Sequence, residues 1–302
     1  MQATLIYNQG AGSANQMTAA DLQTALQAVG FSPVYRATAA EDDLDNVLED
    51  TEGLIIVAGG DGTIRAVATR LLDGSRPLAI LPLGTANNIA TNLGMIGTLP
   101  DMIGGLQNPS KCGLDVGRIR GPWGEDYFLE GAGFGFFANA MANFEPEKGK
   151  SVLRAVTSFV KTYVEYPTYQ TRLLLDGQDF SGTYTMVEVF NTNSIGPRLK
   201  FTPAADPCDG WFDIVRVRSN EGVAFIRYVT NLMAEQLGEL PNVDVTRTQH
   251  VELAWAGFPL HFDDIVRQAT PDEQTELALN PAIVTIDILP QAIELWLPQG
   301  NG

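Results

Sequence analysis

Residues 54–58, Leu-Ile-Ile-Val-Ala, form a continuous apolar run that ends in Gly59-Gly60-Asp61-Gly62-Thr63 and passes at once into a helical period over residues 64–72. An uninterrupted apolar run of this length is the mark of a strand buried on both faces, which a parallel sheet covered by helices provides. The glycines after it let backbone approach a ligand closely, amides point outward, and the helix N-terminus adds partial positive charge. Together these make a device for holding phosphates. It is not a Walker A loop, since no Gly-Lys-Ser/Thr follows, and its glycine spacing is not the dinucleotide fingerprint. The competing reading is a plain strand-to-helix turn with Asp61 as its cap.

The surrounding chain fits the same architecture. Residues 4–7, 34–36 and 78–81 read as strands, and residues 18–29 as a helix with Leu22, Ala25, Leu26 and Val29 on one face, stopped by Gly30. Leu44, Val47 and Leu48 mark a second helix. From about residue 113 the period changes to two, and residues 115–119 and 127–129 read as a hairpin around Gly121-Pro122-Trp123-Gly124. Further strands are expected at 171–175, 183–190, 212–217, 250–255, 260–262, 284–289 and 293–297, with helices at 151–165 and 221–237. The fold class is therefore an α/β N-terminal domain, residues 1–116, followed by a β-sandwich domain over 117–288. Gly131-Ala132-Gly133-Phe134-Gly135 is expected to be a turn in that half, and His250 and His261 structural residues within strands.

Composition narrows the class of function. The 302 residues carry 36 acidic against 19 basic side chains, a net charge of -17, which argues against a nucleic-acid partner and against a general affinity for anionic bilayers. Cys112 and Cys208 are too few for a disulfide framework, and two histidines too few for a His-rich metal site. No apolar run reaches the ~20 residues that span a bilayer, and the N-terminus lacks a basic region and a cleavage site. The expected location is the cytoplasm, with peripheral contact at a membrane surface. Lys150, Arg154 and Lys161 form a cationic face on the 151–165 segment that could meet anionic headgroups, or be an ordinary solvated helix face.

Three motifs, in order, resemble the catalytic domain of the diacylglycerol kinase and bacterial lipid kinase family: Asn8-Gln9-Gly10-Ala11-Gly12-Ser13, the Gly59-Gly60-Asp61-Gly62-Thr63 loop, and the segment 81–90 that includes Gly84-Thr85-Ala86-Asn87-Asn88. Weaker matches at Asp115-Val116-Gly117, residues 131–135, Asp209-Gly210-Trp211-Phe212-Asp213 and Leu289-Pro290 extend the likeness over nearly the whole chain. The resemblance implies a kinase that moves the γ-phosphate of ATP to a lipid hydroxyl, with residues 289–302 returning to the first domain. It implies ATP contacts at Asn8, Gly12, Ser13, Thr38, Gly59, Gly60, Asp61, Gly62, Thr63 and Thr85, with Asp61 near the phosphates as a catalytic residue. It also implies a Mg²⁺ site at Asp209 with the backbone carbonyls of Asp206 and Trp211, hard oxygen ligands that suit the ion. The signature loop is shared with NAD kinases, so a soluble acceptor such as NAD is the alternative substrate.

Two positions depart from the family pattern. The second loop ends Asn87-Asn88 where the family has Asn-Asp, which keeps hydrogen bonding and removes a charge. The family's base is the Glu of an Asp-Gly-Glu, and the matching stretch here is Asp263-Asp264-Ile265. Isoleucine takes no proton. Asp264 is the nearest substitute, although in an extended segment alternation would turn it to the opposite face from residue 265. The acidic segment with Asp272, Glu273 and Glu276 is expected to be a solvated loop, with entry of one carboxylate into the site as the other reading. A third outcome is a catalytically weak nucleotide- or lipid-binding relative.

Overall fold

The computed structural model describes residues 1–8, 17–38, 41–49, 51–143, 167–195, 199–200, 202, 204–219 and 244–299. The expected helices at 151–165 and 221–237, and with them Lys150, Arg154 and Lys161, lie outside the described residues, as do Gly12 and Ser13. Tertiary contacts divide the chain into two compact units: Met1–Val116 with Pro207–Asp209 and Leu289–Gly302, and Gly117–Asp206 with Gly210–Ile288.

The first unit alternates β1 (Gln2–Tyr7), α1 (Ala19–Ala28), β2 (Ser32–Ala37), α2 (Leu44–Glu49), β3 (Leu54–Gly59), α3 (Asp61–Ala68), β4 (Leu78–Pro82), α4 (Asn88–Asn92) and α5 (Leu99–Gly105). The strands pair in parallel in the order β4-β3-β1-β2. All six residues of β3 are buried, which is why its sequence shows no alternation. Leu22 and Leu26 of α1 and Ile64 and Val67 of α3 are buried with Leu5, Ile56 and Ile80 of the strands. Each such side chain stabilises the unit by ~1.5–3 kcal/mol. Thr18 caps α1 in a reciprocal box with Asp21, as the Thr-x-x-Asp spacing allows. The connection leaving β1 runs to β2 on one side and that leaving β3 runs to β4 on the other. The strand order therefore reverses between β1 and β3, and the crevice beyond their carboxyl ends is where open α/β sheets bind ligands.

The second unit is built mainly of antiparallel strands. Its elements are β5 (Ser110–Gly121), which begins in the first unit, β6 (Gly124–Phe128), β7 (Gly131–Gly135), α6 (Phe136–Ala142), β8 (Tyr169–Thr171), β9 (Leu173–Leu175), β10 (Gln178–Asp179), β11 (Gly182–Phe190), β12 (Ser194–Ile195), β13 (Leu199–Lys200), β14 (Phe212–Arg218), β15 (Asp244–Thr248), β16 (His250–Trp255), β17 (Leu260–Phe262), β18 (Ile265–Arg267), α7 (Pro271–Leu279) and β19 (Ala282–Leu297). One sheet has the order β15-β14-β11-β7-β17-β18, and β10, β9, β16 and the first part of β19 pair in a second. Between them lies a core that includes Phe128, Phe134, Tyr184, Phe212, Trp255 and Phe262.

Four local expectations are corrected here. Residues 131–135 form a fully buried central strand, not a turn, paired on one side with β11 and on the other with β17. The segment with Asp272, Glu273 and Glu276 is helix α7, not a loop, started by a reciprocal cap between Thr270 and Glu273 with Pro271 in its first turn. Residues 284–289 and 293–297 belong to one strand, β19, which continues through Pro290 and through Gln291 at φ 51°. Helix α3 starts at Asp61 rather than at residue 64, with Gly60 as its N-cap. The last of these bears directly on the candidate site, since it makes Asp61, Gly62 and Thr63 the first turn of a helix.

Candidate nucleotide and phosphate site

Asn8 follows β1 and Gly59 ends β3, so the topology brings the first two motifs side by side at the strand-order reversal. The Asn8 backbone donates to the Ala58 carbonyl at 3.0 Å, and its side-chain Nδ2 donates to Thr63 Oγ1 at 2.8 Å. The first main-chain bond of α3 is Ile64 N–H to the Gly60 carbonyl, 3.0 Å. The amides of Asp61, Gly62 and Thr63 thus precede the first intrahelical bond, in the position that receives anions at a helix N-terminus.

The third motif packs against the second through glycine. A Cβ on Gly84 would lie 2.6 Å from the Gly60 Cα, and one on Gly60 would lie 3.1 Å from the Gly84 Cα. Both contacts are with backbone, so a side chain at residue 84 forces the loops apart, and one at residue 60 needs them to give by a few tenths of an ångström. The Leu83 amide donates to the Gly59 carbonyl at 2.8 Å. Asn87, at φ 51°, closes its own turn: its Oδ1 accepts from the Gly84 amide at 2.8 Å and its Nδ2 donates to the Gly84 carbonyl at 3.0 Å. Asparagine tolerates this left-handed backbone better than most residues.

Asp61 joins the two loops. Its Oδ1 accepts from the Ile89 amide at 3.1 Å, at the N-terminus of α4. Burial pushes the carboxyl above its ordinary value, against the opposing pull of the amides at 87–89. The carboxylate therefore spends hydrogen-bonding capacity on holding the second phosphate-side loop. Thr38 is half-buried just past β2, and Thr85 is exposed in the glycine-rich turn.

In the second unit, Asp263 and Asp264 are the two turn residues between β17 and β18, where Phe262 pairs with Ile265. Asp263 adopts φ 47°. Its carboxylate accepts three backbone amides, Leu129 at 2.9 Å, Glu130 at 2.8 Å and Gly131 at 3.2 Å, while its own amide donates to the Gly131 carbonyl at 2.8 Å. This is an anchoring carboxylate. Asp264 beside it is exposed, and the tight turn removes the strict alternation expected between residues 264 and 265. Glu273 is committed to its helix cap, with Oε2 accepting from Thr270 N at 2.8 Å, and α7 has no buried residue.

One buried pair has no counterpart in the sequence reading beyond two structural histidines. Glu188 of β11 and His261 of β17 both face Gly133 on the strand between them. Because Gly133 has no side chain, Glu188 Oε1 and His261 Nε2 meet across it at 2.7 Å, both fully buried. His261 Nδ1 lies 3.2 Å from the Asp263 carbonyl. A carbonyl only accepts, so Nδ1 carries its hydrogen and the Nε2···Oε1 contact holds one shared proton. Burial acts to lower the imidazole, but the Glu188 charge and hydrogen bond, with the Asp263 carbonyl, outweigh it and raise His261. The Glu188 carboxyl is raised by burial, which suits a proton shared between the two. His250 pairs instead with Asp287, Nδ1 to Oδ1 at 2.7 Å.

Of the candidate metal residues, Asp209 belongs to the first unit and Asp206 and Trp211 to the second, all three exposed. Arg247 lies over the Trp211 ring at 5.5 Å. Among the described residues no three His, Cys, Asp or Glu side chains are grouped as a metal cluster.

Residues 2–119 match the family model of the diacylglycerol kinase catalytic domain, and residues 131–296 match that of the YegS C-terminal NAD kinase beta sandwich-like domain. The chain belongs to the diacylglycerol kinase and YegS-like lipid kinase family. A diacylglycerol kinase of Bacillus subtilis is 29% identical over 245 residues, covering 76% of this chain and 78% of that relative. A probable lipid kinase YegS-like protein of Pseudomonas fluorescens is 26% identical over 263 residues, covering 82% and 86%. A crystal structure of a diacylglycerol kinase from Bacillus anthracis superposes with a TM-score of 0.73 at 20% identity, covering 98% of this chain and 96% of that one. The fold of the family, an α/β domain followed by a β-sandwich-like domain, is the fold of this chain. No helix among the described residues is long and apolar enough to cross a membrane.

Proposed function

We propose that the protein is a lipid kinase that transfers the γ-phosphate of ATP to the hydroxyl of a diacylglycerol-like lipid with the help of Mg²⁺. The observation that carries this reading is the glycine-on-glycine contact of residues 60 and 84 beside the first-turn amides of Asp61, Gly62 and Thr63, a close approach that a Cβ on residue 84 would obstruct. Amides at a helix N-terminus suit phosphate by charge. In this reading Asn8, Thr38, Thr85 and residues 59–63 bind the nucleotide, and Gly12 and Ser13 join them on the strength of the motif. Asp61 is assigned a positioning role, since its carboxylate holds the 87–89 amides.

On the strength of the motif, the Asp209 carboxylate and the Asp206 and Trp211 carbonyls would hold the magnesium, hard oxygen donors of the kind that ion takes. When bound, the ion supplies neutralisation of phosphate charge. The hydroxyl proton goes to Asp264, the exposed carboxylate on the turn that Asp263 anchors. Ile265 stands where the family has its base, and general-base help contributes ~10²–10⁴ in rate, so turnover is expected to be slow but measurable. The acceptor side is assigned to the β-sandwich unit, and contact with the membrane surface is peripheral.

The test is incubation with γ-labelled ATP, Mg²⁺ and a panel of lipids beside NAD. Label in the organic extract supports the proposal. Label confined to a water-soluble product identifies a soluble acceptor, and absence of transfer with intact ATP binding identifies a relative that has lost the chemistry.

A further inference from the structure

The chain has two cysteines, 96 positions apart, and the fold brings them together: Cys208 Sγ lies 2.8 Å from Cys112 Sγ. That is inside van der Waals contact of two sulfurs, and a disulfide at ~2.05 Å needs only roughly 0.8 Å of further approach. The backbone is already in place for it, because the Asp115 amide on β5 donates to the Pro207 carbonyl at 2.8 Å. Asp115 itself is fully buried, and its Oδ1 accepts from the Gln291 amide at 2.7 Å, which fixes this part of β5. Both cysteines are half-buried, so a small oxidant reaches them. With no third cysteine in the chain, the pairing is unique.

We propose that Cys112 and Cys208 form a reversible dithiol–disulfide site that locks the Pro207–Asp209 segment onto strand β5, with a hydroperoxide as the oxidant. One thiol attacks the peroxide, breaking its O–O bond, and becomes a sulfenic acid as water or an alcohol leaves. The other sulfur then displaces the sulfenic oxygen as water, and the S–S bond forms. Two thiols have been oxidised, one peroxide reduced, and both S–H protons end in the products. Two molecules of a small thiol reverse the step by exchange, one forming a mixed disulfide and the second releasing it. Close intramolecular placement favours the internal bridge over overoxidation, since the second thiol traps the sulfenic acid first. Intracellular disulfides that form in this way are characteristically transient and sensing rather than structural.

The full-length protein treated with hydrogen peroxide, then alkylated and mapped without reductant, is expected to yield one peptide pair joined through residues 112 and 208, lacking two hydrogens and restored by dithiothreitol. Hydrogen exchange at the amides of residues 208 and 209 is expected to slow in the oxidised form. Cys112→Ser and Cys208→Ser should each fold, lose the cross-link, show no such slowing, and accumulate sulfinic acid at the remaining thiol. Recovery of both cysteines as alkylated thiols after oxidation, or as separate sulfinic acids without a cross-link, overturns the site. A cross-link that leaves exchange at 208 and 209 unchanged overturns the lock.

Discussion

Asp263→Ala tests whether the turn between β17 and β18 is held by one carboxylate. Leu129, Glu130 and Gly131 are buried, and their amides lose a charged acceptor at 2.9, 2.8 and 3.2 Å. Each buried donor left unsatisfied costs ~1–3 kcal/mol, and alanine at φ 47° adds roughly 1 kcal/mol that aspartate tolerates better. Asp263 is itself half-buried, so water is expected to replace part of the lost acceptor, and a net loss of about 3–5 kcal/mol follows. Asp263→Asn keeps an oxygen for the Glu130 and Gly131 amides but sets an NH₂ against the Leu129 amide, for a loss of about 1–2 kcal/mol. Asp263→Gly relieves the backbone strain but removes the acceptor just as alanine does, and should fall close to alanine. The assay is urea unfolding of the three variants together with hydrogen exchange at Leu129 and Glu130, which should speed up by about 10²-fold or more in the alanine variant. An alanine variant within ~0.5 kcal/mol of the parent, or an asparagine variant as damaged as alanine, would refute the anchoring argument.

Gly84→Ala should weaken ATP binding at least tenfold, because its Cβ would sit 2.6 Å from the Gly60 Cα and part the two phosphate-side loops; equilibrium binding of ATP measures this, and an unchanged affinity would remove the contact from the site. Asp264→Asn should lower turnover at least tenfold with ATP affinity intact, whereas Ile265→Glu should raise it; parent rates in both would place the base elsewhere. Asp209→Ala should shift the Mg²⁺ requirement of the kinase assay to higher concentration, and a superimposable titration would argue against that ligand. Finally, the Glu188–His261 pair keeps a shared proton that the unfolded chain loses above the ordinary imidazole value of 6.5, so its contribution is full below that pH and falls as pH rises, by about 1.4 kcal/mol per unit while the native pair holds the proton. Urea unfolding from pH 6 to 9 checks it, the Glu188→Gln/His261→Gln double variant should lose this part of the slope, and equal slopes would contradict the shared proton.

The parts of the fold that were legible in the sequence are those whose cause is local. The apolar run of β3 and the glycine stop at Gly30 each act within a few residues, and the sequence displays them directly. The capping box at Thr270 and Glu273 was equally local, and the Thr-Pro-Asp-Glu string spelled a helix start that acidic composition obscured. The start of α3 is hidden in the sequence because Gly62, a poor helix former, stands in its first turn.

What the sequence hid depends on residues far apart in the chain. Gly131-Ala132-Gly133-Phe134-Gly135 reads as a turn because glycine weakens a strand, and in an isolated strand that reasoning holds. Its place in the centre of a sheet makes sense only once Glu188 and His261, on the two flanking strands, are seen to need the space above Gly133 for their hydrogen bond. The buried pair in turn supports the Asp263 carbonyl, and Asp263 holds the turn that carries Asp264 and Ile265. A glycine, a glutamate and a histidine, each unremarkable in its own segment, thus reach the candidate base position through one chain of contacts. The same reasoning separates Asp263 from its neighbour: of two adjacent aspartates, one is half-buried and fixed by three amides, and the other is exposed on the turn that the first one holds.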